Sequence, residues 1–343
     1  MTATTPPGTE QGPAQGPAPA PQPARRRLPL GRPGPRGERR KPAPARTRRP
    51  LLPPAGPREL EPRGGRWWAG AVILTISLVI LGFMAHTVLL TALQHHRDQS
   101  LAYTELRTSL AEGRAPTGQL VSDNELTPLG TPVAYLESAA IGLREVVLQG
   151  SDANTLRSGI GHRRDSVMPG QAGTSVILGR QLTYGGPFAK LHRLQPGDEV
   201  SIMTGQGEHV YRVFGLRRGG DPLPEPLRAK QGRLELQTAD GLALFPSGVL
   251  YVDAELVSEP QPNPSRVLSY PALPSMERAM GADRGAWFIA FFAFVFLTAA
   301  AIAVAWLWRS WGRWHAWVIG VPLLVALGAA TSDLVMNAMP NLL

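Results

Sequence analysis

Cysteine is missing from this chain of 343 residues. That absence excludes disulfides, thiolate nucleophiles and cysteine-ligated metal, and it leaves the redox compartment undetermined. A glycine-rich phosphate loop is also missing, because Gly185-Gly186-Pro187 reads as a turn and not as a nucleotide site. No paired carboxylates suggest a glycosidase. His95-His96 has no third ligand at a suitable spacing, so neither a metal nor another cofactor is expected. Tryptophan is absent from residues 95–284, and Asp, Glu, Lys and Arg are absent from Trp67 to Leu93.

What is present is unevenly spread. Residues 1–66 hold 14 Lys+Arg against 4 Asp+Glu, a net of +10, whereas the whole chain carries +9. The remainder is therefore near neutrality, and the basic character belongs to a tail. A folded nucleic-acid surface is not expected. The tail is rich in Pro, Gly, Ala and Arg and has no apolar periodicity, which implies disorder. Its charge-dense pieces, such as Ala24–Arg27 and Glu38–Lys41, suit either docking to anionic lipid or a partner, or simply fixing membrane topology. The first apolar run begins too late and runs too long for a cleavable signal peptide.

Three apolar runs are long enough to cross a bilayer as helices: Trp67–Leu93, Ala286–Trp308 and Ala316–Met339. The expected organisation is a tail (1–66), a first span (67–93), a juxtamembrane stalk and linker (94–131), a folded unit (132–257), a proline-rich linker (258–284), a second span (285–308), a short loop (309–315) and a third span (316–339). The arginine-rich tail and the loop with Arg309 and Arg313 place those segments in the cytoplasm by the positive-inside rule, so the folded unit lies outside. All 8 tryptophans sit at span ends, where indole rings favour the headgroup layer. His86 lies about 27 Å along its helix from Trp68, and Asp333 about 24 Å from Trp317. These ionisable residues are therefore at similar heights and are expected to contact each other or a partner helix.

The unit between the spans reads as strands: Val133–Leu136, Glu145–Gln149, Thr174–Leu178, Glu199–Thr204, His209–Leu216, Arg233–Thr238 and Val249–Leu256. Gly205-Gln206-Gly207 marks a hairpin, and short helical turns are expected near Asn154–Ser158 and Phe188–Leu191. Many short strands with Gly and Pro turns predict a mainly β unit, closed or nearly closed into a barrel.

The ordered motifs of this unit resemble those of sortases, particularly class E. They are Ser158–Gly173, the stretch Thr174–Phe188, the Pro196-Gly197-Asp198-Glu199-Val200 turn, and Leu234-Glu-Leu-Gln-Thr-Ala239. The resemblance implies a sortase-like β-barrel at the cell envelope of a Gram-positive bacterium, acting on cell-surface proteins through a cysteine, a histidine and an arginine. This sequence departs at all three places. Arg180 follows the glycine (Gly179) where the family has its histidine. Ala239 follows the threonine (Thr238) where the family has its cysteine. The arginine position falls on Gly248 or Val249.

A methyl group forms no thioacyl intermediate, an arginine takes no proton as a base, and valine donates nothing to an oxyanion. Cysteine transpeptidation is thus excluded, and a pseudo-sortase that binds surface proteins or extended peptides is expected. Arg180, Gln181, Thr238 and Asp240 are the candidate groove residues, with Arg180 either pairing with a ligand carboxylate or forming an internal salt bridge. Two alternatives stay open. One is a transpeptidase or hydrolase with another nucleophile, for which Thr238, Asp240 and Ser247 lie near the rim while His192 and His209 are on other segments. The other is a structural subunit of a membrane complex. His162 is read as structural.

Overall fold

The computed structural model describes residues 64–121, 125–242, 245–310 and 313–343. The basic tail up to residue 63, Asp123 and Asn124 of the linker, and Trp311-Gly312 of the short loop lie outside them.

The first span and the stalk form one continuous rod, Gly65–Ala111, 47 residues long. It comprises α1 (Gly65–Ala85), a single π-helical turn (His86–Leu90) and α2 (Thr91–Ala111). The composition changes along it: α1 is apolar on every side, as a span requires, while α2 alternates polar with apolar residues. The π turn lies where the two meet, and it buries His86 and Thr87. The helices α4 (Ala286–Ser310) and α5 (Arg313–Ala338) form an apolar hairpin. Three helices are thus long and apolar enough to cross a membrane.

Between them lies a closed eight-stranded barrel: β1 (Pro132–Ser138), β2 (Leu143–Gln149), β3 (Ile160–His162), β4 (Gly173–Leu178), β5 (Glu199–Thr204), β6 (Gly207–Arg218), β7 (Gly232–Leu242) and β8 (Phe245–Leu256). The strand order is β1-β2-β3-β4-β7-β8-β6-β5, and β5 closes back on β1. The pairs β2–β3 and β4–β7 are parallel, the others antiparallel. Seven of the eight strands follow from alternation in the sequence. The eighth, β3, is only three residues long, too short to leave a period, and follows the single helical turn α3 (Thr155–Ser158). The second short helix is a 3₁₀ turn at Leu191–Arg193, slightly beyond its expected place.

Every second residue of β7 and β8 faces inward. Leu234 and Leu236 of β7 meet Leu250, Val252 and Ala254 of β8 in one core with Val133, Leu136, Ile177, Ile202 and Tyr211. This alternation sets the register, because a slip of one residue would turn the apolar row outward.

The two connecting segments are more tightly packed than their composition predicts. The stalk helix α2 lies against the barrel, with Ala102 and Leu106 buried on Val146 and Leu148. Gln99 bonds the main chain of Val146 both ways and donates to Ser158 O at 2.9 Å. The proline-rich linker also crosses the barrel wall. Gln261 N donates to Gly170 O at 2.8 Å, and the buried Glu277 receives both arms of Arg164. Proline removes donors from a chain but does not stop side chains from anchoring it.

Candidate functional site

Arg180, Ala239 and Val249 lie just past β4, on β7 and on β8, which are neighbours in the barrel. Ala239 of β7 pairs directly with Val249 of β8. β4 runs parallel to β7 with Leu178 opposite Gln237, and Gly179 N donates to Gln237 O at 3.0 Å. The chain leaves the ladder there, and Gln181, two residues on, lines the same cleft as Ala239. A glycine is required at 179, since a Cβ there would come within 2.5 Å of the Phe188 ring.

At this end of the barrel lies a cleft of about 320 Å³. Its walls include Gln181, Phe188, His192, Arg218, Thr238, Ala239 and Asp240. Three of the four expected groove residues, Gln181, Thr238 and Asp240, therefore share one cavity. Thr238 Oγ1 and Gln181 Oε1 are buried there without a hydrogen-bond partner. Unsatisfied buried polar atoms are costly, and such atoms facing a cavity are ready to meet a polar ligand or water. Arg218 Nε donates to Asp240 Oδ2 at 2.9 Å and closes one side. Ser247 lies beside the cleft, and its hydroxyl is spent on Asp240 O at 3.4 Å.

Arg180 differs from both expectations. Its side chain is wholly buried and takes no part in lining the cleft. Among the described residues it makes no salt bridge to an Asp or Glu side chain. Nη2 donates to Ala153 O at 2.8 Å, Nε to Leu156 O at 3.2 Å, and Nη1 to Thr183 Oγ1 at 3.1 Å and Leu343 O at 3.4 Å. Carbonyl dipoles and the Tyr184 ring, 5.0 Å away, replace water around the charge. Burial draws the guanidinium down to about 10, so it remains protonated at neutral pH. Arg180 is thus a tie between α3, its own loop and the chain that follows α5.

The other histidines are elsewhere. His162 is fully buried, 2.9 Å from Gln149 Oε1 and 2.8 Å from Val167 O, and burial pulls its pKa down to about 4. It holds a loop together, as expected. His209 Nε2 lies 3.1 Å from Thr204 Oγ1 at the β5–β6 hairpin. His192, on a segment apart from Thr238 and Asp240 in the sequence, is brought into the cleft with them by the fold. A lone histidine between a leucine and an arginine carries no sequence signal for that placement.

His86 and Asp333 lie against each other, Nε2 to Oδ1 at 3.0 Å. The same carboxylate oxygen accepts from Tyr184 OH at 3.1 Å, so a barrel loop completes the cluster. Tyr184 reaches it from a left-handed backbone conformation, φ 52°, and its N–H donates to Thr91 Oγ1 at 3.0 Å. A tyrosine costs about 1–2 kcal/mol in that conformation, and those two bonds offset it. His95 Nε2, one helical turn on from Thr91, lies 2.9 Å from Glu145 Oε1 of β2. Among the described residues no cluster of His, Asp and Glu has the makings of a metal site.

The geometry defines a class: a closed β-barrel with a small polar cleft at one end, held on apolar helices. Comparison with known proteins shows what this barrel is similar to. Residues 136–234 match the family model for the sortase domain. Sortase D of Bacillus subtilis is 30% identical over 84 residues, covering 24% of this chain and 41% of that protein. Sortase SrtE1 of Streptomyces coelicolor is 24% identical over 150 residues, covering 43% of this chain and 42% of that protein. The chain thus spans about two-fifths of the length of the curated relatives it matches. Among solved structures, a Clostridium perfringens sortase D5 transpeptidase is 20% identical with a TM-score of 0.40, covering 47% of this chain and 99% of that one. Sortase E from Streptomyces avermitilis is 26% identical with a TM-score of 0.33, covering 38% and 91%. Residues 136–234 thus resemble a sortase domain, in a chain without a single cysteine.

Proposed function

We propose that this is a membrane-anchored pseudo-sortase whose barrel, outside the plasma membrane, binds or helps to assemble cell-surface proteins without cutting them. The observation that carries the reading is Ala239: it lines the cleft at the end of β7, in a chain that has no thiol anywhere. The fold keeps a recess with unpaired polar atoms, and those atoms suit the amide groups of an extended peptide. What has gone is the atom that forms a covalent bond to the substrate. In this reading the tail is cytoplasmic, the α4–α5 hairpin returns the chain to the outer face, and the ligand is a segment of a surface protein.

The test uses the full chain in nanodiscs, a panel of peptides drawn from surface-protein sorting segments, and an active sortase as control. Saturable binding without turnover is expected, and Thr238→Val with Asp240→Asn should weaken it at least fivefold. Cleavage or a covalent adduct on this chain would overturn the reading. It would also point to Thr238 with His192, since those two side chains share the cleft.

A second reading has its own support. Trp308, Trp314 and Trp317 with Val321 and Pro322 line a hollow of about 740 Å³ on the α4–α5 hairpin. A simple anchor needs only one span, so this surface suits a subunit of a membrane complex. Crosslinking in intact membranes followed by co-purification distinguishes the two readings by what is captured, and by whether the barrel or the hairpin captures it.

A further inference from the structure

Where the inward row of β4, β7 and β8 builds the core, the outward row builds a second apolar surface. Val176 and Leu178 of β4, Ala239 of β7 and the half-buried Val249 of β8 form it. An apolar strip on the outside of a barrel should be open to water, yet this one is covered. Leu156 of α3 flanks it, Ala279 and Met280 of the linker pack on it, and Leu342 is sealed into it with no exposed surface.

Leu342 arrives from the segment that follows α5, held as a peptide ligand is held. Gln181 N donates to Leu342 O at 2.9 Å, and Thr183 Oγ1 to Leu343 O at 2.6 Å. Arg180 Nη1 reaches the same Leu343 oxygen. Asn341 is also fully buried: its amide donates to Ser151 O at 2.7 Å, Arg278 O at 3.0 Å and Met276 O at 3.2 Å, and its N–H to Gly281 O at 2.9 Å. The segment is a tight turn, closed by Leu343 N donating to Pro340 O at 3.1 Å, and it is held by one apolar anchor, one side-chain amide and main-chain bonds on either side.

We infer that Pro340–Leu343 is an internal ligand of this outer face, and that the face is a site for a peptide turn with an amide side chain followed by a branched aliphatic one. Two sequence departures then acquire a positive role. Ala239 contributes a small side chain to the strip that buries Leu342. Arg180 supplies a buried donor for the incoming carbonyl, in place of a group that titrates near neutral pH. The occupant is joined directly to α5, whose Asp333 bonds His86 and Tyr184, so seating the segment and docking the hairpin are parts of one arrangement. Release of the segment would join the outer face to the cleft across Ala239. The occupancy does not depend on the cleft binding surface proteins; only competition by an outside peptide touches that reading.

The absence of native cysteine makes the test direct. In the full chain in nanodiscs, A239C provides the sole thiol, and its rate of modification by a maleimide reports whether the seat is covered. Slow labelling is expected, rising at least tenfold when L342D is added. A free peptide of residues 339–343 (Met-Pro-Asn-Leu-Leu) should restore protection. V213C, in the barrel core, should stay unreactive throughout, which shows that the barrel remains folded. If L342D exposes V213C as well, N341A takes its place, since it removes the amide bonds without placing a charge in the apolar seat.

Equal labelling of A239C with and without these substitutions overturns the inference, and so does failure of the peptide to protect. If both variants unfold the barrel, the segment is a structural strap and the inference is equally lost. Restored protection together with no binding in the surface-peptide panel would keep the internal ligand and remove the external one.

Discussion

The barrel interior and the seam between barrel and helices are built from opposite materials. Inside the barrel, Leu136, Ile177, Ile202, Leu234, Leu236 and Val252 pack together fully or almost fully buried, and the Tyr211 OH accepts from Gly170 N at 2.7 Å. At the seam the contacts are largely polar: Asp333 with His86 and Tyr184, His95 with Glu145, Asp98 with Ser158, and Gln99 with the main chain of Val146 in β2 and Ser158 in α3. Apolar packing is strong but indifferent to small rotations, whereas hydrogen bonds are weak in net terms and demand one geometry. The core therefore supplies stability, and the seam selects how the helices sit on the barrel. A helix rod that must carry a folded domain at a fixed angle needs the second property more than the first.

The largest expected effect lies in the interior. Leu236→Ala removes a side chain with about 1% of its surface exposed and should cost about 2–5 kcal/mol. Chemical unfolding of the full chain in detergent measures it, with intrinsic tyrosine signals reporting the barrel, whose residues include no tryptophan. A loss no larger than that of a seam substitution would break the comparison.

The next effect follows pH. His162 is neutral in the folded barrel, its pKa drawn from 6.5 to about 4 by burial. Between those values the unfolded chain binds a proton that the folded one does not, so stability falls as pH drops from about 6.5 toward 4 and is flat above that window. The shift corresponds to about 3 kcal/mol at full extent. Unfolding midpoints taken from pH 7 to pH 4 should show the slope, and His162→Gln should flatten it.

Arg180 sharpens the contrast from a position between core and seam. Arg180→Met keeps the volume but leaves the carbonyls of Ala153 and Leu156 unpaired, and it should cost about 1–3 kcal/mol. Peptide binding in the cleft should survive, because the guanidinium faces away from it. A binding defect without loss of stability would return Arg180 to the role of ligand contact.

These particulars show what the sequence discloses and what it hides. Alternation along Glu199–Thr204 or Val249–Leu256 is a local record of burial, so strands, spans and barrel class are legible from it. Cysteine chemistry is excluded by composition alone. The face that an isolated residue joins is not local. Nothing in Leu191-His192-Arg193 tells that His192 enters the cleft, and nothing in Asn341-Leu342-Leu343 tells that these residues return to Ala239 instead of extending the last span. Arg180 was legible as a departure from the family pattern, but its direction was not, because the carbonyls that receive it come from α3, a single turn with no periodic signature. The proline-rich linker hides its anchors in the same way: Glu277 gives no sign of its pairing with Arg164, which lies 113 residues away.

The smallest expected effect tests the seam at its membrane end. The similar heights of His86 and Asp333 predict contact with each other or with a partner helix; the two meet, and the carboxylate receives the Tyr184 hydroxyl too. Interhelical polar contacts within membranes contribute about 0.6 kcal/mol on average and up to about 1.7, because the separated helices find other partners. A double-mutant cycle with His86→Leu and Asp333→Leu in the full chain should give a coupling in that range, read from thermal unfolding in nanodiscs. Tyr184→Phe should reduce the coupling without abolishing it, since it removes one of the two donors and leaves the ring on Arg180. Additive single substitutions, with expression and complex formation untouched in the double variant, would mean that the pair is incidental and that packing alone sets the angle of the barrel on its helices. A coupling above 2 kcal/mol would mean the reverse of the opening contrast at this one point: the seam would hold as firmly as the core, and release of Pro340–Leu343 would require breaking it.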